Sequence, residues 1–179
     1  MTTTDDSLAL AAAGGDRDAF AALLARRYDD LFGLAFRLTG NRADAEDITQ
    51  DVCAALPAKL ANYRGDARFT TWAYRVVVNA VHDRRRRAAT RARAADGWGN
   101  WEINRRAVIA QDQEQADWLS SVMSSLSNEL RDTLALLLED ELTHAEASKV
   151  LGVSEGTISW RMSEAKKQLR VLAEKETGS

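Results

Sequence analysis

Proline and cysteine each occur once, as Pro57 and Cys53. A lone cysteine excludes an internal disulfide and fits a reducing compartment, so packing must hold the fold together. With one proline and abundant alanine, long helices meet few breaks and are favoured. Runs of apolar residues are short. None approaches the roughly 20 needed to span a bilayer, so no membrane insertion is expected. The first 16 residues, MTTTDDSLALAAAGGD, carry no basic stretch before their apolar part and do not read as a secretory signal. A cytoplasmic location is expected. Histidine is scarce too: His82 and His144 lie far apart without a recurring metal-ligand spacing. No metal, cofactor or catalytic residue is expected, and an enzyme is the least favoured class.

What is present describes a globular chain, 45% hydrophobic and 28% charged. Its 179 residues suffice for one ordinary domain or two small ones. The net charge of −3 is unevenly spread. Arg64, Arg68, Arg75, Arg84, Arg85, Arg86, Arg87, Arg91 and Arg93 face only Asp66 and Asp83. Just upstream, Asp29, Asp30, Asp44, Glu46, Asp47 and Asp51 are relieved only by Arg37 and Arg42. Such asymmetry implies partners of opposite charge.

Apolar spacing predicts helices throughout. The first starts near Asp16, a good cap, and carries Phe20, Leu23, Leu24, Leu31, Leu34 and Leu38 to a stop at Gly40. Asn41 caps a second, with Ala45, Ile48, Val52, Leu56 and Leu60 buried and a kink or early end at Pro57. A third begins around Thr70 and ends in the run Arg84–Arg87. Residues 88–112 lose the apolar pattern and read as a linker holding Trp98 and Trp101. Trp118, Leu119, Val122, Met123 and Leu126 then form one stripe, and Leu130, Leu134, Leu137 and Leu138 another, with Ser127 as a cap between them. The fold class is all-α: two small helical domains joined by a flexible linker.

The C-terminal pattern is the most specific. Thr143-His144-Ala145-Glu146 is a capping box, in which hydroxyl and carboxylate each satisfy an end-of-helix amide. A short helix follows, Gly152 permits a left-handed turn, and Ser154 caps a longer helix. Ile158 is placed to plug the crossing of the two. This order predicts a helix-turn-helix whose second helix enters the major groove. Ser159, Arg161 and Ser163 would then face bases or phosphates, with Lys166, Lys167 and Arg170 on backbone, while Trp160 would stack, contact a thymine methyl or belong to the core.

The segments Asp44–Val52, Tyr63–Asn79, Asp83–Arg86 and Leu142–Leu169 together resemble the extracytoplasmic-function sigma factors, the promoter-recognition subunits of bacterial RNA polymerase. The resemblance implies a tail over residues 1–15, region two over 16–87, a linker over 88–112, region four over 113–172 and a tail over 173–179. It implies that Asp44, Asp47, Gln50 and Asp51 bind core RNA polymerase. Tyr63, Arg64, Arg68, Phe69, Trp72, Arg75 and Asn79 would hold the non-template strand of the −10 element, with Arg84, Arg85, Arg86 and Arg87 on the duplex upstream. Ser159, Trp160, Arg161, Ser163, Lys166 and Lys167 would read the −35 element. The implied partners are core polymerase, promoter DNA and an anti-sigma factor, the free protein being monomeric or held by that factor. Ser159 and Glu164 stand where the family often has a basic residue, and Trp160 where it has a small polar one. Two alternatives are a sigma-like mimic that sequesters an anti-sigma factor and a stand-alone helix-turn-helix repressor.

Overall fold

The computed structural model describes residues 3–95, 114–139 and 141–178, with side chains in the second stretch from residue 120 onward. Every regular element among these residues is a helix. The expected linker tryptophans Trp98 and Trp101, and the side chains of Trp118 and Leu119, lie outside the described residues.

Helix α1, Asp5–Ala13, occupies what the pattern leaves as a tail. Thr4 caps it, and Asp5 and Asp6 suit the positive end of its dipole. Only Leu8 and Ala9 are buried, too few to announce a helix within an alanine run. Helix α2, Arg17–Thr39, starts at the expected Asp16 cap and stops at Gly40, whose φ of 64° is left-handed. Helix α3, Arg42–Leu60, is capped by Asn41.

Pro57 does not end α3, which runs on to Leu60. It sits in the last turn, where its missing N–H removes one ladder bond shortly before the helix stops anyway. Helix α4, Phe69–Ala94, also departs from expectation by continuing past Arg87. Its distal residues, Arg91 and Arg93 among them, are exposed, so no apolar face marks them as helical. Alanine and arginine propensity and Arg91 and Arg93 in the last turn sustain the extension.

Helices α5, Glu114–Ser125, and α6, Asn128–Leu137, are separated by the Ser127 cap. Leu138, expected in the buried stripe, is instead 44% exposed because α6 stops at Leu137. Helix α7, His144–Leu151, and helix α8, Glu155–Thr177, complete the chain. Leu23, Leu34, Leu38, Ile48, Leu60, Val77 and Val78 fill the space between α2, α3 and α4. Met123, Leu126, Leu134, Ala147, Val150 and Ile158 fill that between the later helices. Helix α4 also packs on α7, and α2 on α6, so the two cores are continuous.

Candidate nucleic-acid interface

The turn from α3 to α4 is built around three aromatic rings. Tyr63 and Phe69 are buried, and Trp72 is half-buried beside them. The Trp72 ring lies 5.4 Å from Tyr63 and 6.0 Å from Phe69 between centroids, and the Tyr63–Phe69 pair meets edge-on at 6.3 Å. The Tyr63 hydroxyl donates to the Ala67 carbonyl at 2.8 Å, closing the loop on itself. Burial, with the negative charges of Asp6 and Asp66, pushes its ionisation up to about 12. Tyr63 and Phe69 therefore support the loop from within. Arg64 and Arg68, with Arg75 and Asn79 on the next turns of α4, are exposed around it, as are Asn62 and Asp66.

Farther along α4, the arginine run divides. Arg86 and Arg87 are exposed, and Arg86 pairs with Asp83 on the same helix. Arg84 instead turns to α3, 2.7 Å from Asp44 and 3.5 Å from Asp47. That engages two of the four expected polymerase-facing residues and leaves Gln50 and Asp51 exposed on the same helix. Arg85 turns the other way, to α6.

This last contact opens a feature that residue patterning missed: acidic groups of the C-terminal half sit on basic and hydroxyl groups of the N-terminal half. Arg85 forks onto Asp132, both N···O distances being 2.9 Å, and also donates to the Leu38 carbonyl. His82 Nε2 lies 2.8 Å from the same carboxylate. Burial alone would raise the Asp132 pKa, but the bonds from His82 and Arg85 hold it below the usual range. Arg68 forks onto Glu146 at 2.8 and 2.9 Å and reaches the Glu141 carbonyl at 2.7 Å. Thr71 donates to Glu146 at 2.7 Å and Tyr74 to Glu141 at 2.5 Å. Arg37 bonds the Ala135 carbonyl and Glu139.

Glu146 is doubly employed, since it also closes the capping box with Thr143. Burial opposes its charge, yet bonds from Thr71, the Thr143 amide and Arg68 hold its pKa down to about 2. A carboxyl with a depressed folded-state pKa contributes stability above its unfolded value, here 4.5, and loses it as pH falls toward the folded value. Asp132 shifts in the same direction. The two halves are therefore expected to stay docked at neutral pH and to separate as pH falls from about 4.5 toward 2. A donor–acceptor dye pair on α3 and α8 reads this directly; undiminished transfer at the acid end would contradict it.

The helix-turn-helix forms as the spacing implies. Gly152 adopts φ 67°, Ser154 caps α8, and Ile158 is fully buried at the crossing. Trp160 is 62% exposed, which removes it from the core and leaves its ring on the surface. Ser159, Ser163, Lys166 and Lys167 share that exposure. The Ser159 hydroxyl lies 3.1 Å from His144 Nδ1, so the start of α7 steadies the start of α8. Arg161 is mostly buried and points toward Glu129 at 3.7 Å, making it the least available of the expected contacts.

Asp30, Glu139 and Glu141 bring carboxylate oxygens within 4.8 Å of one another. Arg27, Arg37 and Tyr74 already engage them, so the group is an ion-pair cluster of the docked surface.

Comparison with known proteins narrows what such an arrangement serves. Residues 23–91 match the family model described as Sigma-70 region 2, and residues 122–171 that described as Sigma-70, region 4. The chain is 31% identical to the ECF RNA polymerase sigma factor SigM of Mycobacterium tuberculosis (strain ATCC 25618 / H37Rv), over 98% of this chain and 88% of that protein. It is 26% identical to the ECF RNA polymerase sigma factor SigW of Bacillus subtilis (strain 168), over 87% and 89%. A solved structure of CnrH in complex with the cytosolic domain of CnrY matches with a TM-score of 0.73 at 26% identity, covering 95% of this chain and 97% of that one. The sigma factor RpoE in complex with the anti-sigma factor NepR, from Bartonella quintana, shares the fold with a TM-score of 0.73 at 20% identity, over 87% and 96%.

Proposed function

Because this chain belongs to the extracytoplasmic-function sigma factors of RNA polymerase, we propose that its two helical units are the two ends of one promoter grip, folded together here. The protein binds core RNA polymerase, recognises the −35 and −10 elements and promotes melting, as its family does. In our reading, Gln50 and Asp51, with Asp44 and Asp47 once released from Arg84, meet the polymerase. Arg64, Arg68, Arg75 and Asn79 follow the phosphates and bases of the displaced −10 strand, and the exposed part of the Trp72 ring stacks on a base. The arginines from 84 to 87 meet duplex DNA upstream. Ser159, Trp160, Ser163, Lys166 and Lys167 meet the −35 element, Arg161 following on a change of rotamer.

The observation that carries this reading is the fork of Arg68 on Glu146, joined by Thr71. A carboxylate held by a guanidinium and a hydroxyl has the hydrogen-bonding geometry of a phosphate oxygen pair. Glu146 thus stands in for DNA on the −10 surface, and the docked form is the idle one. The matched structures of CnrH with CnrY and RpoE with NepR support an anti-sigma partner for this chain as well. It acts in the cytoplasm as a transcription factor, without catalysing a reaction of its own.

Run-off transcription with purified core polymerase and fragmented genomic templates is the test. Discrete, promoter-dependent products are expected only when the protein is added; their absence from every template would refute the assignment. Replacing Asp47 and Asp51 together by lysine is expected to weaken holoenzyme formation at least about tenfold, since like charges at such a contact cost several kcal/mol. Unchanged affinity in a fluorescence titration would remove α3 from the polymerase interface.

A further inference from the structure

Helix α1 lies upstream of the region-two match, which begins at residue 23. It is nevertheless tied to the base-reading loop at two points. Helix α4 begins without a side-chain cap from its own N-cap residue, Arg68. The Asp6 carboxylate supplies what is missing, accepting from the Phe69 amide at 2.7 Å across 63 positions of sequence. Its charge also lies at the positive end of the α4 dipole. At the tip of the loop, Gly65 adopts φ 78°, and the Leu10 methyls lie 3.6 and 3.8 Å from where a Cβ would stand on it. Leu10 is half-exposed because the surface it covers is a loop rather than a core.

The helix that carries these two groups is itself fixed. Leu8 and Ala9 are buried, Arg27 Nε donates to Asp5 at 2.5 Å, and Arg26 donates to the Thr3 carbonyl at 2.6 Å. A rigid path therefore runs from α2 through α1 to the loop and to the first amide of α4. We propose that α1 is a positioning element for −10 recognition, with Asp6 setting the start of α4 and Leu10 the height of the loop. Neither side chain touches DNA. Together they set where Arg64 and Trp72 stand, and so how sharply the bases are discriminated. This rests on the assignment of residues 63–79 to the −10 strand.

The experiment uses holoenzyme assembled from core polymerase and the full-length protein. The probe is a pool of single-stranded DNA 12-mers randomised at the central six positions, with bound sequences counted. Wild-type protein should enrich a defined sequence. Asp6→Ala should flatten that enrichment about fivefold, the scale of losing one helix cap, with core affinity little changed and the melting temperature lowered by only about 2–4 °C. Asp6→Asn, whose amide oxygen still accepts from Phe69, should recover most of it, and Leu10→Ser should reproduce the loss without touching the cap. Hydrogen exchange at the Phe69 amide should quicken in Asp6→Ala by a similar factor. A wild-type preference that survives both Asp6→Ala and Leu10→Ser overturns the positioning role. A wild-type holoenzyme with no base preference overturns the loop assignment, and the positioning role with it.

Discussion

Asp132→Ala is expected to separate the two helical units and to raise the apparent affinity for core polymerase. The carboxylate is 4% exposed and receives Arg85 through both of its oxygens and His82 through one. Removing one partner of a buried ion pair costs roughly 3–5 kcal/mol, because the other charge is left without compensation. Arg85 and His82 are a quarter and about a third exposed, so water recovers part of that loss and the lower end of the range applies. About 3 kcal/mol moves the docked–open equilibrium on the order of a hundredfold. All three hydrogen bonds to the carboxylate come from His82 and Arg85 on α4. That unit should therefore stay folded while it swings away. Small-angle scattering should report a larger radius of gyration, circular dichroism an unchanged helix content, and titration with core polymerase a tighter complex. A double substitution with Arg85→Ala should add little to scattering beyond the single one, since both remove one contact. An unchanged radius and unchanged core affinity would show that Asp132 does not latch the idle form.

Trp72→Ala is expected to impair promoter opening far more than polymerase binding. Its ring closes the Tyr63–Phe69–Trp72 group yet stays half-exposed. One ring can therefore brace the loop from within and stack on a displaced base. Stacking of a base on an aromatic side chain is worth about 1–3 kcal/mol, roughly a five- to hundredfold loss in opening. The acidic face of α3 lies on another helix, so holoenzyme formation should change by no more than about twofold, within the scatter expected of independent sites. Permanganate reactivity of unpaired thymines reads opening, and a core-binding titration reads the other quantity. Equal losses in both would make Trp72 a purely structural ring. Phe69→Ala, at a residue 1% exposed, should instead lower the melting temperature, because a buried ring leaves a cavity.

Residue types and spacing made much of this legible, and their failures share a cause. Asp16, Asn41, Ser127, Thr143 and Ser154 all cap the helices that follow them. A cap acts on amides two or three residues away, so sequence contains the whole interaction. The helix-turn-helix was readable for the same reason, with Gly152, Ser154 and Ile158 doing local work. Helix α1 escaped notice because its two buried residues pack on distant helices rather than on a periodic face of their own. The far end of α4 escaped because an exposed helix needs no apolar pattern at all. The resemblance implied that Tyr63 and Phe69 hold the −10 strand, and their burial makes them the loop's support.

The sequence by itself determined the capped helix starts, the helix-turn-helix and the separation of acidic from basic segments, since each depends on neighbours within a few residues. Only the tertiary structure decided which opposite charges meet. Arg68 and Glu146 are 78 positions apart, Arg85 and Asp132 47, and Asp6 and the Phe69 amide 63. Any arginine in the run from 84 to 87 could in principle have found a carboxylate. Burial and the shape of the docked helices select one geometry among many pairings of similar Coulomb energy. That selection puts Glu146 of the helix-turn-helix on Arg68 at the start of α4, and it puts an N-terminal helix beneath the loop between α3 and α4.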